Sequence, residues 1–347
     1  EIPLVKEKMS LLLSGRTTYS DWIMKRLPEK SGYKNGNAGF YDLGATWSYT
    51  IDHLNKVNVY GYYSHDRFEF NENEKYAYSN LNASVNWRTI LNEKVTANLA
   101  AGYDHYDYMN DESTDAVAAA RLKFAINQVY AKVGFNHDLG NGHKLNYGLS
   151  TMLYDLQPGI YEPLNDSSTV ARKELQTEKA LESALYIGDQ WEFNSKLSID
   201  AGIRLSMFNA LGKRTYYDYA TGELPSLNAI TDTITTGGGA FKTYFAPEFR
   251  LSARYAFSDD LSVKAGFNTM QQYIHKLSNT VIMSPTDTWK LSDKHIKPQR
   301  GWQLAGGVYY NTPDKMLELS LEGYYKKLID YLDYRSGAQL IMNEHIE

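Results

Sequence analysis

The chain has no cysteine in its 347 residues. That excludes a disulfide framework, a thiolate zinc site and a cysteine nucleophile. It also lacks any apolar run near the roughly 20 residues a spanning helix requires, and its mean hydropathy is −0.50. Basic excess is missing as well: 36 Lys and Arg against 41 Asp and Glu leave a net charge of −5. Phosphate binding needs a basic stripe, so nucleic acid is not an expected partner. Catalytic signatures are absent too. Gly212 and Lys213 lack the first glycine of a phosphate loop, and there is no HExxH, EF-hand or nucleophile elbow. Asp200 and Arg204 lie four apart on one strand, about 13 Å, too far for a catalytic pair without neighbouring strands. No enzyme, cofactor or resident metal is expected.

What the chain has is aromatic content, 14% with 29 tyrosines, arranged in a rhythm. Six times a long alternating segment carries an aromatic, meets a tight polar turn and restarts on small apolar residues. The turns fall at Asp52 to Asn55, Leu91 to Lys94, Gly140 to His143, Asn194 to Lys196, Ser258 to Asp260 and Thr312 to Lys315. Before them stand Trp47 and Tyr49, Trp87, Phe135, Trp191 with Phe193, Tyr255 with Phe257, and Tyr309 with Tyr310. Amphipathic rings at one end of every hairpin suit a bilayer interface.

The face pattern points the same way. Leu197, Ile199, Ala201, Ile203, Leu205 and Met207 alternate with Ser198, Asp200, Gly202, Arg204 and Ser206. Leu81, Ala83, Val85 and Trp87 alternate likewise with Asn82, Ser84, Asn86 and Arg88. Period two is the strand signal, with one face lipid-compatible and the other wet. A soluble sandwich, propeller or jelly roll would use strands of about 5 to 6 residues, whereas Lys56 to Phe70 and Val95 to Met109 read as two to three times longer. The expected fold is therefore all-β: a transmembrane antiparallel up-and-down β-barrel.

Turn asymmetry gives an orientation. The intervening connections, Lys25 to Ala38, Asn71 to Lys75, Asn110 to Ala120, Gln157 to Glu178, Leu211 to Ala240 and Lys276 to Lys297, read as the long ones. Outer-membrane barrels keep short turns in the periplasm and long loops outside. The aromatics before the short turns then form the periplasmic girdle. The segment Leu211 to Ala240, with Gly212, Gly222, Pro225 and the run Gly237, Gly238 and Gly239, is expected not to order on its own.

Roughly thirteen strands can be counted, an odd number where bacterial single-chain barrels have an even one. Asn343 to Glu347 follows an upward strand, and a barrel left there would expose an unpaired edge to lipid. The expectation is that residues 1–347 form one partial barrel domain, the middle of a larger barrel.

A family resemblance lies between Ser284 and Leu340. Lys297 and Pro298 open a strand that continues through Gln299, Arg300, Trp302 and Gly306; its hairpin partner ends on Tyr324, Tyr325, Lys326, Lys327, Leu328, Ile329 and Asp330. This resembles the late-middle barrel of TonB-dependent outer-membrane receptors. The common family form has acidic residues after the Lys-Pro and before the glycine, where this chain has Gln299 and Ala305. The resemblance covers about a sixth of the chain, and the hairpin rhythm fits the same family end to end. It implies a 22-stranded barrel, a lumen plug and import energised from the inner membrane. On that resemblance the plug and the segment engaging TonB, which belong to the family's N-terminal region, and the closing strands are expected to lie outside this sequence.

Ligand contacts are expected in the loops. Tyr216, Tyr217 and Tyr219 in the longest one offer stacking surface with polar tips for sugars, catecholates or a partner protein. Tyr106 and Tyr108 end an upward strand on the lumen series, whereas Tyr103, His105 and Asp107 fall on the lipid series, which disfavours a metal site there. Gln272 ends another upward strand and Trp289 follows in its loop. Arg88, Asp200, Arg204, Arg250, Arg254, Lys264, Glu318 and Glu322 alternate with the apolar face and would line the lumen, holding a plug or bordering a pore. The leading function is TonB-dependent import of a siderophore, corrinoid or glycan. The alternatives are a passive porin-like channel and a non-transporting surface barrel for adhesion or envelope scaffolding. Expected partners are outer-membrane lipid and lipopolysaccharide, the TonB complex through the plug region, a surface lipoprotein, and a small-molecule or glycan ligand.

Overall fold

The computed structural model describes the chain apart from residues 19, 29, 32–35, 72, 224, 278–287, 315, 334–341, 346 and 347. Period-two alternation produces strands almost throughout. In chain order they are β1 (Ile2–Val5), β2 (Met9–Thr17), β3 (Asn37–Thr50), β4 (Asn55–Asn71), β5 (Glu74–Asn92), β6 (Val95–Glu112) and β7 (Ala120–Gly140). There follow β8 (His143–Pro163), β9 (Lys173–Glu174), β10 (Glu178–Glu192), β11 (Leu197–Leu211), β12 (Thr215–Tyr219) and β13 (Ile230–Thr235). The last are β14 (Ala240–Ala256), β15 (Leu261–Gln272), β16 (Ile274–Leu277), β17 (Thr288–Leu291), β18 (Gln299–Asn311) and β19 (Glu318–Ile329). No helix among the described residues is long and apolar enough to cross a membrane.

The sheet runs β1 through β8, then β10, β11, β14, β15, β18 and β19, each strand antiparallel to its neighbour, with β9 beside β8. Thirteen of its strands have nine residues or more, as the sequence rhythm predicts. Two short hairpins, β12–β13 and β16–β17, stand off this path. Both grow from long connections on the side opposite the aromatic turns.

The register fixes the two faces. Leu185 pairs with Leu149 and Leu205, and all three project from the convex side. Leu185 is 59% exposed and Leu251 53%, values at odds with water but natural for a side chain against lipid. Trp191 and Phe193 meet edge to face at 4.9 Å, as do Tyr255 and Phe257. Tyr309 departs from the expected girdle. It pairs with Ser262 on the wet series, lies under Lys264 and donates to Glu322 at 2.8 Å, so its neighbour Tyr310 alone faces outward. Period two explains the error, since adjacent residues cannot share a face.

The tight turns have a common chemistry. Asp52 Oδ1 accepts the N–H groups of Leu54 and Asn55, Asn92 Oδ1 those of Lys94 and Val95, and Asn194 Oδ1 those of Lys196 and Leu197, all within 2.8 to 3.0 Å. Ser258 Oγ does the same for Asp260 and Leu261. A short polar side chain thus substitutes for the missing ladder bonds at each corner. The Leu54 N–H, followed by the Asn55 side chain, holds the Asp52 carboxyl below the usual range.

Two loop expectations are corrected. Asn71 to Lys75 is not a long loop: β4 and β5 remain paired up to Asn71 with Glu74, beyond a bulge, because the ladder runs past any membrane depth. Leu211 to Ala240 does order, as β12–β13, because Thr215 to Asp218 and Asp232 to Thr235 pair across the glycine-rich ends.

Glycines on the wet face seat tyrosines. The hydroxyl end of Tyr130 lies over Gly102, and the Tyr186 hydroxyl reaches over both Gly134 and Gly148, filling the gap left by absent side chains. A Cβ at Gly148 would sit 2.1 Å from the Val133 carbonyl oxygen, which is backbone and cannot yield. Gly148→Ala is therefore expected to destabilise the barrel by about 1–3 kcal/mol. The check is the urea concentration at which the heat-modifiable band of the refolded protein disappears on a gel.

Candidate functional site

At the long-loop end, on the concave side, a buried layer packs on the wall. Ile126, Tyr154, Leu156, Ala180, Phe208 and Ala210 come from β7, β8, β10 and β11, and Tyr273 and Leu291 pack on them from the inserted hairpin region. Phe208 and Tyr273 stack at 4.7 Å with rings 6° from parallel, and the Tyr273 hydroxyl meets Ser206 Oγ at 2.8 Å. Such offset stacking with a satisfied polar tip is the usual way to bury tyrosine. The β16–β17 hairpin is consequently turned into the lumen rather than standing free outside.

A buried ionic network fixes it there. Lys290 Nζ lies 2.6 Å from both Glu178 Oε1 and Asp293 Oδ2. Arg214, at the base of β12, reaches Glu178 at 3.1 Å and Asp293 at 3.3 Å. The second Glu178 oxygen accepts the Leu291 N–H, and Asp293 Oδ1 accepts the N–H groups of His295 and Ile296. Burial alone would raise the Asp293 carboxyl, but Lys290 and Arg214 outweigh it and hold the group well below the usual range. Four charges from three places in the chain, two positive and two negative, thus pair with one another, the condition under which a buried charge is tolerated.

His275 on β16 is 2% exposed, and its Nε2 faces Ser292 Oγ at 2.9 Å. Burial, followed by the charge of Lys290, pushes its pKa down to about 4. Below pH 6.5 the unfolded segment binds a proton that the folded one refuses, so stability falls with pH and levels off near 4. The loss over that window is roughly 3 kcal/mol. Proteolysis of the hairpin should therefore accelerate between pH 6.5 and 4 in the native protein and not in His275→Gln.

Above this layer the two hairpins meet. Tyr216 stacks on Phe241 at 5.8 Å, with the Lys294 ammonium 4.7 Å from its ring centre. Lys294 pairs with Asp218 at 2.5 Å, and His295 Nε2 faces the Tyr217 carbonyl at 2.7 Å. Tyr219 meets His295 and His345 edge-on, and its hydroxyl lies 2.7 Å from His345 Nδ1. Tyr216, Tyr217, Tyr219 and His295 border a cavity of about 70 Å³ that Glu178, Arg214, Lys290 and Asp293 also line.

The expected site residues separate by depth. Tyr216, Tyr217 and Tyr219 come together around the cavity. Tyr106 and Trp289 pack against the buried layer below, and Tyr108 is 2% exposed and stacked on Phe124 at 4.6 Å. Gln272 donates its amide to the Ile274 carbonyl at 2.7 Å, shaping the turn into β16. His105 and Tyr103 share Asn127 on the outer face. Arg214, Glu178, Lys290, Asp293 and His295 were not anticipated from sequence. Residues 278–287, within the expected loop Lys276 to Lys297, lie outside the described residues, as do 284–287 and 334–340 of the stretch carrying the family resemblance.

Beneath the buried layer the concave face is polar. Arg204 bridges Glu182 at 3.2 Å and Glu248 at 3.6 Å rather than Asp200, and a cavity of about 850 Å³ opens below, lined by Lys132, Tyr186, Asp200 and Arg250.

A sheet of long amphipathic strands with an apolar convex face, a wet concave face and loops folded into its mouth belongs to the class of outer-membrane β-barrels. The model of the TonB dependent receptor-like β-barrel family matches residues 14–343, and the chain belongs to that family. Its members are outer-membrane transporters and not enzymes. No curated protein matches the sequence. Among solved structures, the open form of the ferric-catecholate import receptor Fiu from E. coli K12 is 11% identical with a TM-score of 0.64, over 94% of this chain and 56% of that one. The hemophore receptor HasR of Serratia marcescens, a double mutant in complex with its hemophore HasA and heme, is 12% identical with a TM-score of 0.62, over 94% and 51%. The copper transporter OprC is 10% identical with a TM-score of 0.63, over 85% and 46%. At such identities the likeness is one of fold. The chain spans about half the length of these structures.

Proposed function

We propose that residues 1–347 are a barrel domain of an outer-membrane receptor that captures a scarce solute at the loop mouth and imports it by TonB-dependent active transport. The observation that carries this reading is the buried aromatic layer at the loop end of the concave face, with the inserted hairpin held to it by the Glu178–Lys290–Asp293–Arg214 network. Loops folded onto the concave wall make a recessed, mostly aromatic mouth with a few convergent polar groups, the form a solute-capturing site takes. Tyr216, Tyr217 and Tyr219 would make the first contacts, with Tyr106, Tyr108 and Trp289 supporting them and Gln272 at the edge. The partners are lipid and lipopolysaccharide around the convex face, TonB through a plug, and a surface lipoprotein at the mouth. Siderophore, corrinoid and glycan are the solute classes.

The test is uptake by cells carrying the full-length receptor, with and without a functional TonB. Accumulation is expected to fall at least about tenfold without TonB, since active import draws on that energy source. Equal accumulation in both strains would favour the porin-like reading, and no uptake of any solute the surface scaffold.

A further inference from the structure

We infer that the mouth cavity takes a neutral, hydroxyl-rich ring, that is, a saccharide unit, and not an anionic metal chelate. This rests on the reading of the mouth as the receptor's binding site.

Charge carries the inference. The two cationic side chains lining the cavity among the described residues are Arg214 and Lys290, and each already contacts both Glu178 and Asp293. Lys294, just above, is held by Asp218. Glu344 adds a further carboxylate to the lining, itself 3.3 Å from Lys173. The cavity therefore offers carboxylates in excess of cations, and each of these cations is paired. Recognition of a polyanion works the other way, through arginine and lysine whose charge is released to the ligand.

Shape and chemistry agree. A space of about 70 Å³ holds about five waters by the usual allowance for a water-sized probe, a cluster that one hydroxylated six-membered ring would displace. Tyr217 and Tyr219 of β12 line it, and a tyrosine ring gives an apolar surface on which the C–H face of a pyranose lies well. Gln176 adds polar lining, its side chain braced at 2.9 Å and 3.2 Å against the Thr215 backbone. Carboxylates and imidazoles bonded into a fixed frame suit hydroxyls, which both donate and accept.

The experiment uses the full-length receptor purified in detergent and two probes: an array of neutral oligosaccharides without sialic acid or sulfate, and the iron(III) tris-catecholate complex. At least one neutral oligosaccharide is expected to bind, Tyr217→Ala to weaken it at least tenfold, and the chelate to show no saturation. Heat-modifiable migration of Tyr217→Ala controls for folding. Saturable chelate binding that Tyr217→Ala abolishes, absence of any retained neutral oligosaccharide, or glycan binding indifferent to Tyr217→Ala would each overturn the inference. TonB dependence is read in the separate uptake assay, so failure of the transport reading and failure of this one are distinguishable.

Discussion

Lys290→Met is expected to release the β16–β17 hairpin from the lumen wall while leaving the barrel intact. The substitution keeps the length of the side chain and removes its charge, so Glu178 and Asp293 are left buried with only Arg214 between them. Removing one partner of a buried ion pair costs about 3–5 kcal/mol, because the remaining charge is uncompensated. The sheet itself is held by ladders on both sides of every inner strand, so the loss should be local. The measurement is limited proteolysis beside heat-modifiable migration: cleavage within β16 or β17 should appear with the folded band retained. A double variant, Glu178→Gln with Lys290→Met, removes both charges and should recover part of the loss. If Lys290→Met were as protease-resistant as the parent, the network would not be what holds the hairpin.

Leu185→Arg should be the more damaging of two single changes made on the same strand. Leu185 lies mid-strand on the convex face and is 59% exposed, while Gln190, five residues on, belongs to the concave series and lines the wet cavity. An arginine at the bilayer midplane costs about 2–4 kcal/mol, and one on the lumen side costs much less. Leu185→Arg is expected to lower the denaturant midpoint of the folded band in lipid vesicles, and Gln190→Arg to leave it nearly unchanged. Equal effects would mean that the convex face does not contact lipid.

Much of this architecture is legible in the sequence because one rule generates it. Period two sets both faces, and turn chemistry at Asp52, Asn92, Asn194 and Ser258 sets the corners. Strand counting and face assignment therefore hold from β2 to β19, and the one slip, Tyr309, came from treating two adjacent aromatics as sharing a face. Loops obey no such period. The pairing of Thr215 with Thr235 depends on tertiary support that no local signal announces, and glycine content pointed the other way. The buried network was illegible for the same reason. Glu178, Arg214, Lys290 and Asp293 are ordinary surface-type residues until the fold brings them together.

That separation in sequence has a consequence for assembly. Each strand of the sheet pairs with a near neighbour in the chain, so hairpins can form locally and add one to the next. The mouth cannot. Lys290 reaches back 112 residues to Glu178, the Tyr219 hydroxyl meets a histidine 126 residues later, and Lys173 finds the Met342 carbonyl across 169. Bringing such distant points together before the wall exists would carry the full entropy of closing those loops. The mouth should therefore be the last part to take shape, and a closed mouth is in effect a certificate that the strands beneath it were laid in the right order.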